Sequence, residues 1–303
     1  MAEPRPASAP ERRLQAALWM ILAVTLWTGV AICVRMLEGR VPISDLSFYR
    51  GLLSVAVMMP LIRRAGRMGH GGPLRKAMPW FVLRGVFIFT AQTCFYFALT
   101  WMPMAEATVL SGTTPIFLAL MAGMFLGEKV SAVRWVAIGL GFAGIVVILR
   151  PGAETIQIAA LTALASAVLF ASSSAINKFL SRTEPASRIV GWTNLMIAAV
   201  AALPFVYNSY VPQWSDLPWV AAITVLGTGA QYGLARAIAA ADASFSGPFD
   251  FLRMPFSAIA ALILFAEWPD IWVWVGTGIV FASIFGLTRD RALFRHRTGT
   301  SSG

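Results

Sequence analysis

Charge is what this sequence has least of. Only 13% of its residues are Asp, Glu, Lys or Arg, about half the share found in an ordinary soluble domain. So little charge cannot cover a chain of 303 residues with a wettable surface. Cysteine is equally sparse. Cys33 and Cys94 both fall in apolar runs and no C-x-x-C pair exists, so neither a disulfide framework nor a thiolate metal site is indicated. The two histidines, His70 and His296, lie in polar segments, which leaves the apolar runs without the commonest general base. A G-x-x-x-x-G-K-[ST] loop is absent, so the chain carries no nucleotide-driven motor of its own. Beyond the first two residues of a run, only two acids, Glu106 and Asp250, stand inside apolar runs, and the runs are different ones. An intramembrane enzyme such as a lipid-linked transferase wants paired carboxylates on a metal, or a nucleophile beside a base. That reading is weak, and no catalytic residue, metal ligand or cofactor is expected.

What the sequence has in abundance is long hydrophobic runs. It is 58% hydrophobic with a mean hydropathy of +0.71. Ten runs, at 14–37, 44–62, 77–99, 103–125, 131–149, 157–180, 187–206, 217–239, 243–265 and 269–287, can each cross a hydrocarbon core at about 1.5 Å of rise per residue. The expected fold class is an all-α polytopic membrane protein. Residues 1–13 and 291–303 are polar and read as disordered tails.

The net charge of +10 reports topology, with anionic lipid as its partner; nucleic acid is not expected. Seventeen of the 24 Lys and Arg residues fall in loops, tails or helix ends on one side when the N-terminus is taken as cytoplasmic, and five, Arg35, Arg50, Arg84, Arg236 and Arg253, read as intramembrane. Only Arg40 and Arg150 fall on the other side. Retention of basic loops in the cytoplasm then predicts an inner-membrane, multi-pass chain with both termini inside.

Sliding the chain along itself by 139 positions aligns the third to fifth runs with the eighth to tenth. Gln92 meets Gln231, Glu128 meets Glu267, Trp135 meets Trp274, and Phe142, Ala143 and Ile145 meet Phe281, Ala282 and Ile284. Two halves, 14–150 and 151–290, each hold five runs. An odd number inverts the second half relative to the first. Ten spanning helices in two inverted five-helix repeats, closing round a central cavity, are the arrangement of secondary transporters.

"AEATVLSGTTPIFLALMAGMFLGEKVSAVRWVAIGLGFAGIVVILRPG" at 105–152, with "FYRG" at 48–51 and "LRG" at 83–85, resembles the EamA branch of the drug/metabolite transporter superfamily. The resemblance spans nearly the whole chain and implies ten helices, a central cavity and movement of small metabolites. Within the family the chain is most similar to bacterial amino acid exporters of the YddG type, although "FSGPFDFLRMPF" stands where the first half has "TVLSGTTPIF".

Several residues are candidates for the solute path. Asp250 and Arg253 share a helix face at i, i+3 and could hold the two ends of a zwitterion. Either they line a cavity or they form a self-neutralising pair. Pro115 and Pro255 are expected to kink the fourth and ninth helices, freeing carbonyls that only a cavity or a neighbour can satisfy. Gln92 and Tyr96 face one way on the third helix, with Gln231 and Tyr232 on the eighth. Ser173 and Asn177 share a face of the sixth, and Ser111 and Thr114 approach the fourth kink. Each could equally be an interhelical hydrogen bond. Trp27 is a candidate wall and Trp101 a wall or an interfacial belt residue. Arg35, Arg50, Arg84 and Arg236 read as snorkelling or structurally paired, Arg50 beside Asp45. Glu106 is the candidate for proton coupling. "GLGFAG" at 139–144 spells a dinucleotide fingerprint, but mid-span it reads as helix packing through the small residues 139 and 143. The function expected is export of amino acids, aromatic or neutral ones included, by alternating access and facilitated diffusion. The alternative is movement of a nucleoside-like or vitamin-like solute, with or without proton coupling.

Overall fold

A computed structural model of the chain describes residues 9–37, 39–67, 74–125, 132–149, 158–240, 252–268 and 270–283. Every regular element among them is a helix. The first half holds α1 (Ala9–Met36), α2 (Ile43–Arg67), α3 (Leu74–Trp101), α4 (Met104–Ser111), α5 (Thr114–Phe125) and α6 (Ala132–Leu149). The second holds α7 (Ile158–Leu180), α8 (Ala186–Asn208), α9 (Leu217–Ala240), α10 (Arg253–Phe265) and α11 (Ile271–Ser283). Five stretches are long and apolar enough to cross a membrane, Met104–Met121 among them. So α4 and α5 make one interrupted pass. The polar residues of α2 and α9, including Asp45, Arg50, Gln231 and Arg236, dilute helices of 25 and 24 residues that are long enough by length alone.

The break in that pass is local chemistry. Pro115 has no N–H to give to Ser111, four residues back. The Thr114 hydroxyl donates to that Ser111 carbonyl instead, at 2.8 Å. The helix therefore stops at Ser111, turns through Gly112 and Thr113, and restarts with Pro115 in the first turn of α5, where a missing N–H is harmless. The expected kink is thus a full interruption, two residues ahead of the proline. Pro255 likewise sits in the first turn of α10. The part of the ninth pass before Leu252, with Asp250 in it, lies outside the described residues.

The halves meet as antiparallel pairs. Trp19 and Ala23 of α1 approach Gly233 of α9, and Gly29 approaches Leu226. Phe48 of α2 stacks on Phe205 of α8, centroids 4.2 Å apart, while Gly51 lies against Ala198. Thr108 of α4 bonds to Ser257 of α10, and Gly112 lies against Met254. In each pair rising numbers meet falling ones, which is what an inverted repeat requires. The α6–α11 pair shows the internal symmetry directly. The Ser283 hydroxyl donates to the Ala137 carbonyl, and a shift of 139 turns that contact into the one between Gly144 and Gly276.

Glycine spacing corrects one expectation. Gly139 has open space around it and Ala143 is exposed. The close approach comes through Gly141 and Gly144, because the interface follows the other side of the helix. A β-carbon on Gly144 would lie 2.8 Å from a Val280 methyl and 2.9 Å from the Gly276 carbonyl oxygen. Gly144→Val should therefore lower the thermal stability of purified protein by about 1–3 kcal/mol. Gly139→Val should leave it within about 0.5 kcal/mol. Equal effects at both positions would contradict this interface.

Trp101, Trp214 and Trp268 are 69%, 90% and 82% exposed at one end of the bundle. Arg63, Arg75, Lys76, Lys178 and Arg182 stand exposed, or nearly so, toward the other. An exposure of 69% does not suit Trp101 as the wall of a cavity.

Candidate functional site

The centre is built round an indole. Trp27 of α1 lies between two guanidinium groups, with Arg50 Cζ 5.8 Å and Arg253 Cζ 5.7 Å from its ring. Arg253 also lies 5.3 Å from the Phe95 ring, and Arg50 Nη1 donates to the Tyr96 hydroxyl at 3.5 Å. Cations over aromatic faces are attracted by the ring quadrupole, by about 2 kcal/mol when both are dry. The first half contributes Trp27, Arg50, Phe95 and Tyr96. The second contributes Arg253 and Gly227, whose missing side chain makes room for Arg50: a β-carbon there would lie 2.9 Å from Arg50 Nε.

Arg50 is only 1% exposed, and its Nε and Nη2 have no hydrogen-bond partner. It neither snorkels nor pairs with Asp45, whose Oδ2 accepts from the Ser44 hydroxyl at 3.1 Å. This overturns the peripheral role expected from its place at the start of the second run. Being seven residues into α2 on the face toward Gly227, it enters the middle of the bundle.

Gln92 and Tyr96 are both 1% exposed, and neither amide atom of Gln92 has a partner. Gln231 accepts from Asn194 Nδ2 at 3.1 Å, and beside it Ser54 and Thr228 share a hydrogen bond of 2.6 Å. The 92/231 repeat mates thus both turn inward, one already satisfied and the other open. Tyr232 instead packs edge-on against Trp19, centroids 6.1 Å apart. Ser111 accepts from Ser166 at 3.2 Å, and Thr114 caps the helix break. Ser173 is buried and Asn177 half-buried on α7. Among the described residues no hydrogen bond or ion pair joins either to the Trp27 cluster. Glu106 is half-buried in the first turn of α4.

Arg84 is a second buried guanidinium, 9% exposed. Its Nη1 donates to the Thr193 hydroxyl at 2.6 Å, and its Nε is unpartnered. Arg84, Gln92 and Tyr96 follow α3 over about 18 Å. Toward the tryptophan-rich end the arginines change character. Arg35 bonds to Glu267 and to the Leu99 and Met102 carbonyls, and Glu267 also accepts from the Met104 N–H at 2.9 Å. Ala266, at φ 53, turns the chain left-handed to deliver Glu267 there. Phe95, Asn194 and the Ser54–Thr228 pair were not singled out by sequence, and Arg50 was expected at the periphery instead of the centre. The glycine opposite Arg50 becomes meaningful only once α2 and α9 are side by side.

Comparison with known proteins agrees with this architecture. The EamA-like transporter family matches twice, over residues 14–150 and 157–289. A riboflavin transporter of Rhizobium johnstonii is 30% identical, covering 94% of each chain. An S-adenosylmethionine uptake transporter of Rickettsia felis is 28% identical over 83% of this chain and 85% of that one. A pseudopaline exporter of Pseudomonas aeruginosa is 24% identical over 90% of this chain and 96% of its own length. One solved protein structure superposes with a TM-score of 0.65 at 21% identity, covering 91% of this chain and 98% of that one, a likeness of fold alone. These relatives carry the family resemblance, and not the finer one to amino acid exporters of the YddG type. With two matches filling the two halves, the chain belongs to the EamA-like transporter family.

Proposed function

We propose that this secondary transporter of small metabolites moves a planar, acceptor-rich solute of the vitamin-like or nucleoside-like kind. The observation that carries this reading is Trp27 between Arg50 and Arg253, with Phe95 and Tyr96 beside it. A flat ring can stack on such a surface while guanidinium N–H groups donate to its carbonyl oxygens. The riboflavin transporters among the relatives fit that chemistry. A sulfonium such as S-adenosylmethionine would bring a cation beside two fixed guanidiniums. The amino acid reading leans on an Asp250–Arg253 clamp, of which Asp250 lies outside the described residues; the described part of the site offers donors and aromatic faces.

Purified protein in lipid vesicles should pass riboflavin at least about tenfold faster than S-adenosylmethionine, a difference of about 1.4 kcal/mol in barrier. Faster flux of S-adenosylmethionine would reject the reading. Riboflavin should equilibrate without accumulating under an imposed pH gradient, since the solute gradient alone drives it. Accumulation that disappears in Glu106→Gln would make the carrier proton-coupled.

The exposed basic residues at one end, and the tryptophans with Asp216, Glu267 and Asp270 at the other, support an inner-membrane orientation with both termini cytoplasmic. A periplasm-active reporter fused after Arg295 should stay inactive, and strong activity there would reverse the assignment.

A further inference from the structure

We propose that the solute carries a negative charge and that Arg50 receives it, an inference that rests on the transport reading above. Three arginines away from the centre have a carboxylate: Arg35 has Glu267, Arg40 has Asp216 at 3.9 Å, and Arg188 has Glu184 at 3.0 Å. The two most buried arginines differ. Among the described residues neither Arg50 nor Arg84 makes an ion pair, and buried donor nitrogens lack an acceptor on both, Nε and Nη2 of Arg50 and Nε of Arg84. A buried guanidinium without a counter-charge is strongly destabilising, and ring faces neutralise no charge. An anionic group supplies what is missing. It offers two or three acceptor oxygens to a planar fork of donors, the geometry in which Arg exceeds Lys.

The positions are consistent with passage. Arg50 Nε and Nη2 lie against Gly227, where a side chain is absent. The open amide of Gln92 stands between Arg84 and Tyr96 along α3, so donors mark the route at both levels. Nothing in this chemistry separates a phosphate monoester from a carboxylate. Both are oxyanions borne on a flat ring system.

Two matched pairs of probes separate charge from shape: riboflavin 5′-phosphate against riboflavin, and nicotinate against nicotinamide. Vesicle flux of the anionic member should exceed that of its neutral mate by about tenfold or more in at least one pair, and which pair responds identifies the oxyanion. Arg50→Gln should bring that ratio to within about twofold, while Arg50→Lys, which keeps the charge but not the planar fork, should retain only part of it. Where Arg50→Gln does not purify as a monodisperse species, Gly227→Ala crowds the guanidinium and should give the same loss. Neutral members moving as fast as anionic ones in both pairs would overturn the proposal, and so would a preference unchanged in Arg50→Gln. If no probe crosses the vesicle, the transport reading fails separately. Thermal stabilisation of the purified protein by the four probes then decides: stabilisation by anions alone supports the charge assignment, and none by either anion refutes it.

Discussion

Oxidation of a Thr108→Cys, Ser257→Cys variant should cut solute flux by more than tenfold, and reduction should restore it. The two hydroxyls are 2.8 Å apart across the α4–α10 contact, so their β-carbons lie within reach of a disulfide. Cys33 and Cys94 are both free and would be replaced by alanine first. The contact joins the first half to the second beside the break at Gly112 and Thr113. Alternating access requires one half to rock against the other, and a covalent tie there holds them in one arrangement. Because the tie adds no volume to the core, the oxidised protein should purify as well as the reduced one. Undiminished flux after complete cross-linking would mean that α4 and α10 move as one piece.

Trp27→Leu is expected to reduce flux by about thirtyfold or more. Leucine fills much of the space but has no π face, so the attraction to both Arg50 and Arg253 is lost, about 2 kcal/mol for each desolvated contact, and 1.4 kcal/mol is a factor of ten. The two losses will not simply add, because the guanidiniums share one ring. Trp27→Phe keeps a smaller face and should recover part of the activity. Flux within twofold of the parent in Trp27→Leu, measured in vesicles at equal protein, would remove the indole from the solute path.

The pass structure was legible because the signal for a span is additive: twenty apolar residues declare themselves one by one, and the repeat offset of 139 then fixes the inversion. Gln92, Tyr96 and Arg253 were also legible, as polar residues that a membrane interior tolerates only for a reason. Arg50 was not. Near the start of a run a guanidinium resembles one that reaches for headgroups, and only the neighbouring α9, with glycine at 227, reveals that it points inward. The helix break was half legible. Pro115 announces a disturbance, while its position depends on Thr114 offering its hydroxyl to Ser111, a choice between equivalent acceptors. Tyr232 fell to the Trp19 side because one residue of helix turns a side chain by about 100°, enough to separate it from Gln231.

The paired contact between α6 and α11 has an evolutionary reading. Ala137 with Ser283 and Gly144 with Gly276 are one contact made twice, once from each side of a two-fold axis. Self-complementary contact of this kind is what two identical subunits make in a closed dimer. A five-helix ancestor would have made it with a copy of itself inserted the opposite way up. Fusion of two such copies fixes their opposed orientations in one polypeptide, and each copy is then free to diverge. The halves do differ here: Gly227 stands against Arg50, whereas its repeat mate, 139 positions earlier, is Ile88.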